Sequence, residues 1–366
     1  MPILSDRYLF KNPAKRLAAG LFDFAGALLF FLFRPRRPLD ASKIKKILLI
    51  RTDQLGDAVM IRPAALAFKK QFPAVQIDLL CDAASLPLFQ EDLFLTRLIG
   101  MSPTWFSGRG RGGNVRVEFW RILREVRAER YDAAIDFRGD LRSILLMTLA
   151  GIPERVGYGV TGGGFLLTRR GQYSRTLHQV LLNARLLDFF KVDGAACKLP
   201  PLSVTQKEAQ SFWQGNGRPL AESADKRLIF HFGAGRPEKS WKADRCQALL
   251  KKVSDERLGK IVLIGAAHEK KLLPAEELPE GALDLRGKTT LRELIVLLSK
   301  AAVFTGMDSG PAHVAACQGL PVVSIFGGPN DPALWHPWAE RLFLVAPAEA
   351  ESAEVVLNAL KKALQA

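Results

Sequence analysis

The stretch IKKILLIRTDQLGDAVMIRPAALAFKKQFPAVQIDLL, residues 44–80, decides the fold class. Residues 44–50 are short, largely apolar and rich in branched side chains, as a buried strand is. The run breaks at Arg51-Thr52-Asp53-Gln54-Leu55-Gly56-Asp57, and a helical pattern follows over residues 58–72 until Pro73 stops it. Residues 75–80 then read as a second strand. Strand, helix and strand in succession predict an α/β fold, because parallel neighbours need a crossover element lying on the sheet face.

The alternation continues downstream. Strands are expected near Leu98 and over 133–136, with a helix at 117–129. A second series opens after a turn region at 215–218. It comprises a strand at 227–232, a helix at 243–253, a strand at 260–264, a helix at 291–299, an extended stretch at 302–305, a helix at 311–319 and a strand at 321–326. A last helix, 351–364, carries Val356, Leu360 and Leu364 on one face. The 366 residues exceed one ordinary core and suit two domains. We expect a leader over 1–42, a first lobe over 43–205, a second over 226–347 and a terminal helix over 348–366. The lobes read as doubly wound and joined near 200–225, and a cleft between such lobes is a natural ligand site.

The net charge of +15 favours anionic partners. Nucleic acid is not expected among them: zinc-finger spacing and paired RNA-binding aromatics are missing, and the basic residues are spread along the chain. Cys81, Cys197, Cys246 and Cys317 lie far apart without C-x-x-C spacing, which argues against a zinc site or redox pair and for a reducing, cytoplasmic setting. Residues 17–33 are apolar except for Asp23, with Lys11, Lys15 and Arg16 before them and Arg34, Arg36 and Arg37 after. The basic stretch beyond them is no signal-cleavage site. The run is shorter than the ~20 residues of a comfortable span, and Asp23 suits hydrocarbon badly. It predicts a helix lying in an anionic membrane surface; a helix packed on the protein and a true span are the other readings.

The loop after residue 50 has one glycine, Gly56, so the dinucleotide fingerprint G-x-G-x-x-G is missing, and Gly233-Ala234-Gly235 lacks a third glycine. No P-loop motif occurs. Gly306-Met307-Asp308-Ser309-Gly310-Pro311-Ala312-His313 is more informative, with the preceding strand expected to end at Thr305. Ser309 suits an N-cap, Pro311 suits the first turn, and Gly310 lets a ligand approach the backbone. Free N–H groups and the helix dipole favour a diphosphate there, with His313 adding a donor. An ordinary capped helix with a packing histidine fits the same residues.

Lys239 follows the 227–232 strand, so it is expected at the same sheet edge as Asp308, where it neutralises phosphate charge as a sugar–phosphate bond breaks. A plain surface lysine is the alternative. Asp57 is the candidate base, and a helix-capping aspartate is its bland reading; Asp53 is a second candidate base. No D-x-D occurs, which fits leaving-group stabilisation by Lys239 and helix N–H groups, with no metal ligand and no cofactor expected. Arg109, Arg111 and Arg116, around the glycines of 108–113, suit an anionic acceptor, as do Gly56 and Gly163. The glycine-rich stretch 157–164 reads as a flexible loop that moves on binding.

Together these pieces resemble glycosyltransferase family 9, the ADP-heptose:lipopolysaccharide heptosyltransferases. The marks are residues 47–57 with Pro63, the glycine-rich stretch to Thr168, His231 to Trp241, Gly265-Ala266-Ala267-His268-Glu269, Gly306 to His313, and Phe326-Gly327-Gly328-Pro329-Asn330-Asp331-Pro332 through Trp338. The resemblance implies a GT-B arrangement of two Rossmann-like lobes about a central cleft, the first for the acceptor and the second for the nucleotide sugar. It implies an inverting, metal-independent transferase using a nucleotide-sugar donor and an anionic glycolipid acceptor; the leader lies outside the family core, so the expected peripheral place on the cytoplasmic face of the bacterial inner membrane rests on composition alone. By match, Asp57 is the base, Lys239 contacts phosphate, Glu269 accompanies the ribose, and Asp308, Ser309, Gly310 and His313 form the donor signature. Where some relatives carry paired threonines this chain has Gly233-Ala234-Gly235, so backbone N–H groups would replace hydroxyls. A non-transferring, epimerase-like sugar-nucleotide enzyme and a membrane-surface protein with a degenerate site are the rival readings.

Overall fold

The computed structural model describes residues 8–10, 12–30, 39–102, 104, 113–194, 201–221, 225–235, 239–328 and 330–366. The chain divides into two compact units, Met1–Leu199 and Pro200–Ala366. The first holds strands β1 (Lys46–Arg51), β2 (Gln76–Asp82), β3 (Arg97–Met101), β4 (Ala133–Asp136), β5 (Glu154–Gly157) and β6 (Arg169–Arg170). They form one sheet in the order β3-β2-β1-β4-β5-β6, and every pairing is parallel. Ile47, Leu48, Leu49 and Ile50 are all buried, because β1 lies at the middle of a sheet covered on both faces.

The second unit repeats the plan with β7 (Arg227–His231), β8 (Lys260–Leu263), β9 (Leu283–Asp284), β10 (Val303–Met307), β11 (Val322–Ile325) and β12 (Leu342–Val345). Its order is β12-β11-β10-β7-β8-β9, again parallel throughout. Counted from its own first strand, each sheet has the Rossmann order, which reverses beside that strand and splays the following loops apart. The helix Gln206–Gln214, within the stretch expected to join the lobes, packs on the second unit, where Arg292 Nε donates to Glu208 Oε1 at 2.8 Å. The terminal helix Ala353–Gln365 buries Val356, Leu357, Leu360 and Ala363 in the same unit's core.

Three expectations are corrected. The helix read over 58–72 is two helices, Leu55–Val59 and Arg62–Gln71, with Pro63 in the first turn of the second. Proline has no N–H to continue a helix, but it opens one well. β10 runs to Met307, two residues past its expected end, because Gly306 has no side chain and a Cβ there would collide with the His231 carbonyl. The stretch 157–164 is not a mobile loop. Gly162, Gly163 and Gly164 are buried. Gly159, Gly162 and Gly163 take φ of +62°, +99° and +78°, and a Cβ on Gly163 would lie 2.5 Å from Leu141 Cδ1. These glycines permit tight turns and close packing rather than motion.

The leader forms the helix Pro13–Phe30, which lies against the first unit. A buried carboxylate is costly unless partnered. Asp23 is buried and accepts from Tyr8 O–H (2.9 Å) and the Gly163 N–H (2.6 Å). The Phe22 and Phe165 rings meet edge to face at 5.2 Å, and Gly26 leaves room for Phe165, whose ring a Cβ would strike. Among the described residues no helix is long and apolar enough to cross a membrane.

Candidate active site

In the first unit the site is set by the residues that come directly after β1. Arg51 ends that strand fully buried, and a buried guanidinium must be surrounded by anions and carbonyls. Its Nε donates to Asp53 Oδ1 (2.7 Å), its Nη2 to Asp57 Oδ1 (3.0 Å), and its Nη1 to the Phe137 carbonyl (3.2 Å) and Asn183 Oδ1 (3.5 Å). Asp53 Oδ2 is taken by Arg138 Nη1 at 2.6 Å. One carboxylate is thus locked between two guanidinium groups. The other, Asp57, sits in a one-turn helix with its side chain 15% exposed and keeps an open edge. Gln54 occupies the N-cap, so Asp57 is not the capping residue. Burial and then the charge of Asp53 push the Asp57 carboxyl up to about 6, against the pull of Arg51 and Arg138. Such a group is ionised at neutral pH yet basic enough to accept a proton in a transition state.

In the second unit the loops after β7, β8, β10 and β11 converge. Trp241 anchors the first of them. Its ring lies 5.6 Å from that of Phe232, its amide donates to the Phe232 carbonyl (3.0 Å), and its indole N–H to the Ala350 carbonyl (2.7 Å). Two residues earlier, Lys239 is held with Nζ 3.6 Å from Asp308 Oδ2. Gly328 makes room for the lysine stem, since a Cβ there would come within 2.9 Å of Lys239 Cγ. Asp308 Oδ2 also accepts from Asn330 Nδ2 (2.6 Å), and His313 Nε2 lies 3.9 Å from Oδ1. Burial lowers the His313 pKa to about 4, against the pull of Asp308, so this imidazole is neutral near pH 7.

Ser309 holds the N-cap position of the helix Gly310–Cys317, but its hydroxyl does not cap. It meets His231 Nδ1 at 2.9 Å, while His231 Nε2 meets Glu269 Oε2 at 3.2 Å. Glu269 is cradled between Gly233 and Gly265, where any Cβ would strike its carboxylate, and it accepts from the Ala266 amide (2.9 Å). Burial opposes its charge, but hydrogen bonds from His231 and Ala266 outweigh that and hold it below the usual carboxylate range. His231 therefore links the Ser309 hydroxyl on one ring nitrogen to the Glu269 carboxylate on the other.

The structure therefore gathers Lys239, Gly233, Glu269, Asp308, Ser309, Gly310 and His313 at one sheet edge. Among the described residues nothing lies within 4 Å of the Cβ position of Gly235, unlike that of Gly233, and Ala234 between the two glycines is buried. In the first unit Gly56 is buried beside Asp57. Gly163 serves as the donor to Asp23, and Arg116 stands exposed in the first turn of the helix Val115–Ala128. Arg109 and Arg111 lie outside the described residues. Sequence reasoning passed over Arg51, Arg138, His231 and Asn330 as site residues. The available signal was a polar residue closing an apolar run, as Arg51 does after Ile47–Ile50 and His231 after Leu228–Phe230.

The model of Glycosyltransferase family 9 (heptosyltransferase) matches residues 119–364. Lipopolysaccharide heptosyltransferase 3 of Escherichia coli K12 is 24% identical over 302 residues, covering 78% of this chain and 83% of its own. A glycosyl transferase family 9 structure from Veillonella parvula superposes with a TM-score of 0.75 at 20% identity, over 88% of this chain and 97% of that one. The ADP-heptose lps heptosyltransferase II of Escherichia coli superposes at 0.68 and 22% identity, over 87% of this chain and 98% of that one.

Proposed function

This chain belongs to glycosyltransferase family 9, the heptosyltransferases, and from that premise we propose that it transfers heptose from ADP-heptose to a lipopolysaccharide core sugar with inversion and without a metal ion. The acceptor hydroxyl gives its proton to Asp57, its oxygen bonds to the anomeric carbon, and the bond from that carbon to the phosphate oxygen breaks. The diphosphate leaves as an anion. Lys239 and the first-turn amides of the Gly310–Cys317 helix stabilise it, and Glu269 takes a ribose hydroxyl.

The observation that carries this reading is the pairing of Lys239 with Asp308 beside that helix N-terminus. A lysine shared with a carboxylate is poised to be drawn to a stronger anion, and the helix supplies positive potential without a metal. As a family member the chain is a glycosyltransferase, so the epimerase-like alternative gives way. The leader is read as attachment to the anionic cytoplasmic face of the bacterial inner membrane.

Mass spectrometry of a heptose-deficient lipopolysaccharide acceptor incubated with the protein and ADP-heptose tests the reaction, in buffer with and without a chelator. Heptosyl addition in both is expected. Addition only from another nucleotide sugar would correct the donor, and loss on chelation would overturn metal independence. Thermal stabilisation by ADP, UDP, GDP and dTDP ligands ranks the bases independently, since a ligand that binds only the folded state raises stability by mass action.

A further inference from the structure

The helix Pro13–Phe30 is turned inside out for a protein that meets only water. Its inward face, Ala19, Asp23 and Gly26, carries the helix's acidic residue, while its outward face is apolar. Leu17, Leu21, Phe24 and Leu28 recur at helical spacing and are 53%, 61%, 73% and 74% exposed; Leu29 at 70% and Phe22 at 45% widen the stripe. A surface helix ordinarily turns such a stripe to the core, and a contiguous exposed one marks a contact surface.

The inward charge has its own explanation. Asp23 accepts from the Gly163 amide and the Tyr8 hydroxyl, and Arg170 Nη1 lies 3.9 Å away. The chain before the helix is stitched to the same turn, with the Leu9 amide on the Val160 carbonyl (3.0 Å) and Arg175 Nη2 on the Tyr8 carbonyl (3.1 Å). This is a rigid seat, not a loose tether.

We propose that the outward face enters the headgroup–acyl boundary of an anionic bilayer, while Asp23 latches the helix to the turn at Gly162 and Gly163, holding the first unit in one orientation on the lipid. This rests on, and deepens, the membrane attachment proposed for the leader. Lipid is favoured over a second copy by charge. Residues 1–42 carry seven Lys and Arg against three Asp, and Asp23 is used internally. Two such helices face to face would bring basic flanks together whichever way they ran, whereas anionic headgroups complement them. A helix of 18 residues is about 27 Å long and lies flat, its latched face kept out of hydrocarbon.

The full chain is mixed with vesicles of phosphatidylethanolamine and phosphatidylglycerol, or of phosphatidylcholine alone, and sedimented. Binding to the anionic vesicles is expected, with Leu21→Glu plus Leu28→Glu lowering the partition roughly tenfold or more at unchanged Tm. An unchanged partition overturns the proposal, as does self-association through this face that persists in excess vesicles. Amide exchange reads the latch. In the vesicle-bound wild type the Gly163 amide should exchange slowly, and Asp23→Asn should speed it while vesicle binding is kept. Fast exchange in the wild type, or equal protection in the variant, overturns the latch. Neither measurement uses nucleotide or sugar, so failure here leaves the transfer reaction standing, and failure of transfer leaves these results interpretable.

Discussion

The two units share a strand order but furnish the same edge of the sheet with opposite chemistry. At the end of β1 the first unit places a buried arginine that gathers two carboxylates from the loop beyond, producing a weakly acidic group with one open edge. After β7 the second unit places glycines and a well-anchored lysine, and after β10 a helix N-terminus, producing a seat for an anion. The topology supplies a place where loops diverge, and the first residues beyond each central strand decide whether that place takes a proton or holds a phosphate.

This contrast can be broken, beginning with the largest effect. Asp57→Asn should lower kcat on the order of 10²- to 10⁴-fold while ADP binding by calorimetry is unchanged. Lost nucleotide binding instead would erase the division of labour. Lys239→Ala should cost roughly 10²- to 10³-fold in kcat, because a group that meets developing phosphate charge matters most in the transition state. A rise in KM alone would make it a ground-state contact. Gly233→Ala should weaken ADP binding about tenfold by evicting the Glu269 carboxylate, with the acceptor KM unaffected.

The smallest effect is a displacement on the pH axis. Asp57 must be ionised to act, so kcat/KM should fall as pH drops below about 6. The negative charge of Asp53 helps raise that value, so Asp53→Asn should move the acid limb to lower pH, by about one unit. A limb that stays put, or moves upward, would assign the titration to another group.

Much of this was legible in the sequence because the central strands carry unbroken branched or aromatic apolar runs, Ile47–Ile50 and Leu228–Phe230, with no competing helical pattern. The short strands β5, β6, β9 and β12 were not expected: two to four residues establish no periodicity, and all but β12 have charges among them. The site divided the same way. Asp57, Lys239 and Asp308 could be placed because each follows a readable strand. The partners that tune them could not. Arg51 binds Asp53 two residues on and Asn183 132 positions away, and no local pattern announces that one cation will serve both. The Ser309 hydroxyl was expected to cap its own helix and turned instead to His231, a competition settled only in three dimensions.

The partner of Asp23 has a consequence for synthesis. Gly163 lies 140 positions further along the chain, so the ribosome delivers the leader long before the amide that is to receive its charge. At elongation speeds of roughly 5–20 residues per second that delay is on the order of ten seconds. During that interval water, not the Gly163 amide, solvates the Asp23 carboxylate. Completion of β5 and the turn beyond it settles the acid. The seat of the helix Pro13–Phe30 is thus complete only once the chain has been made as far as Gly163.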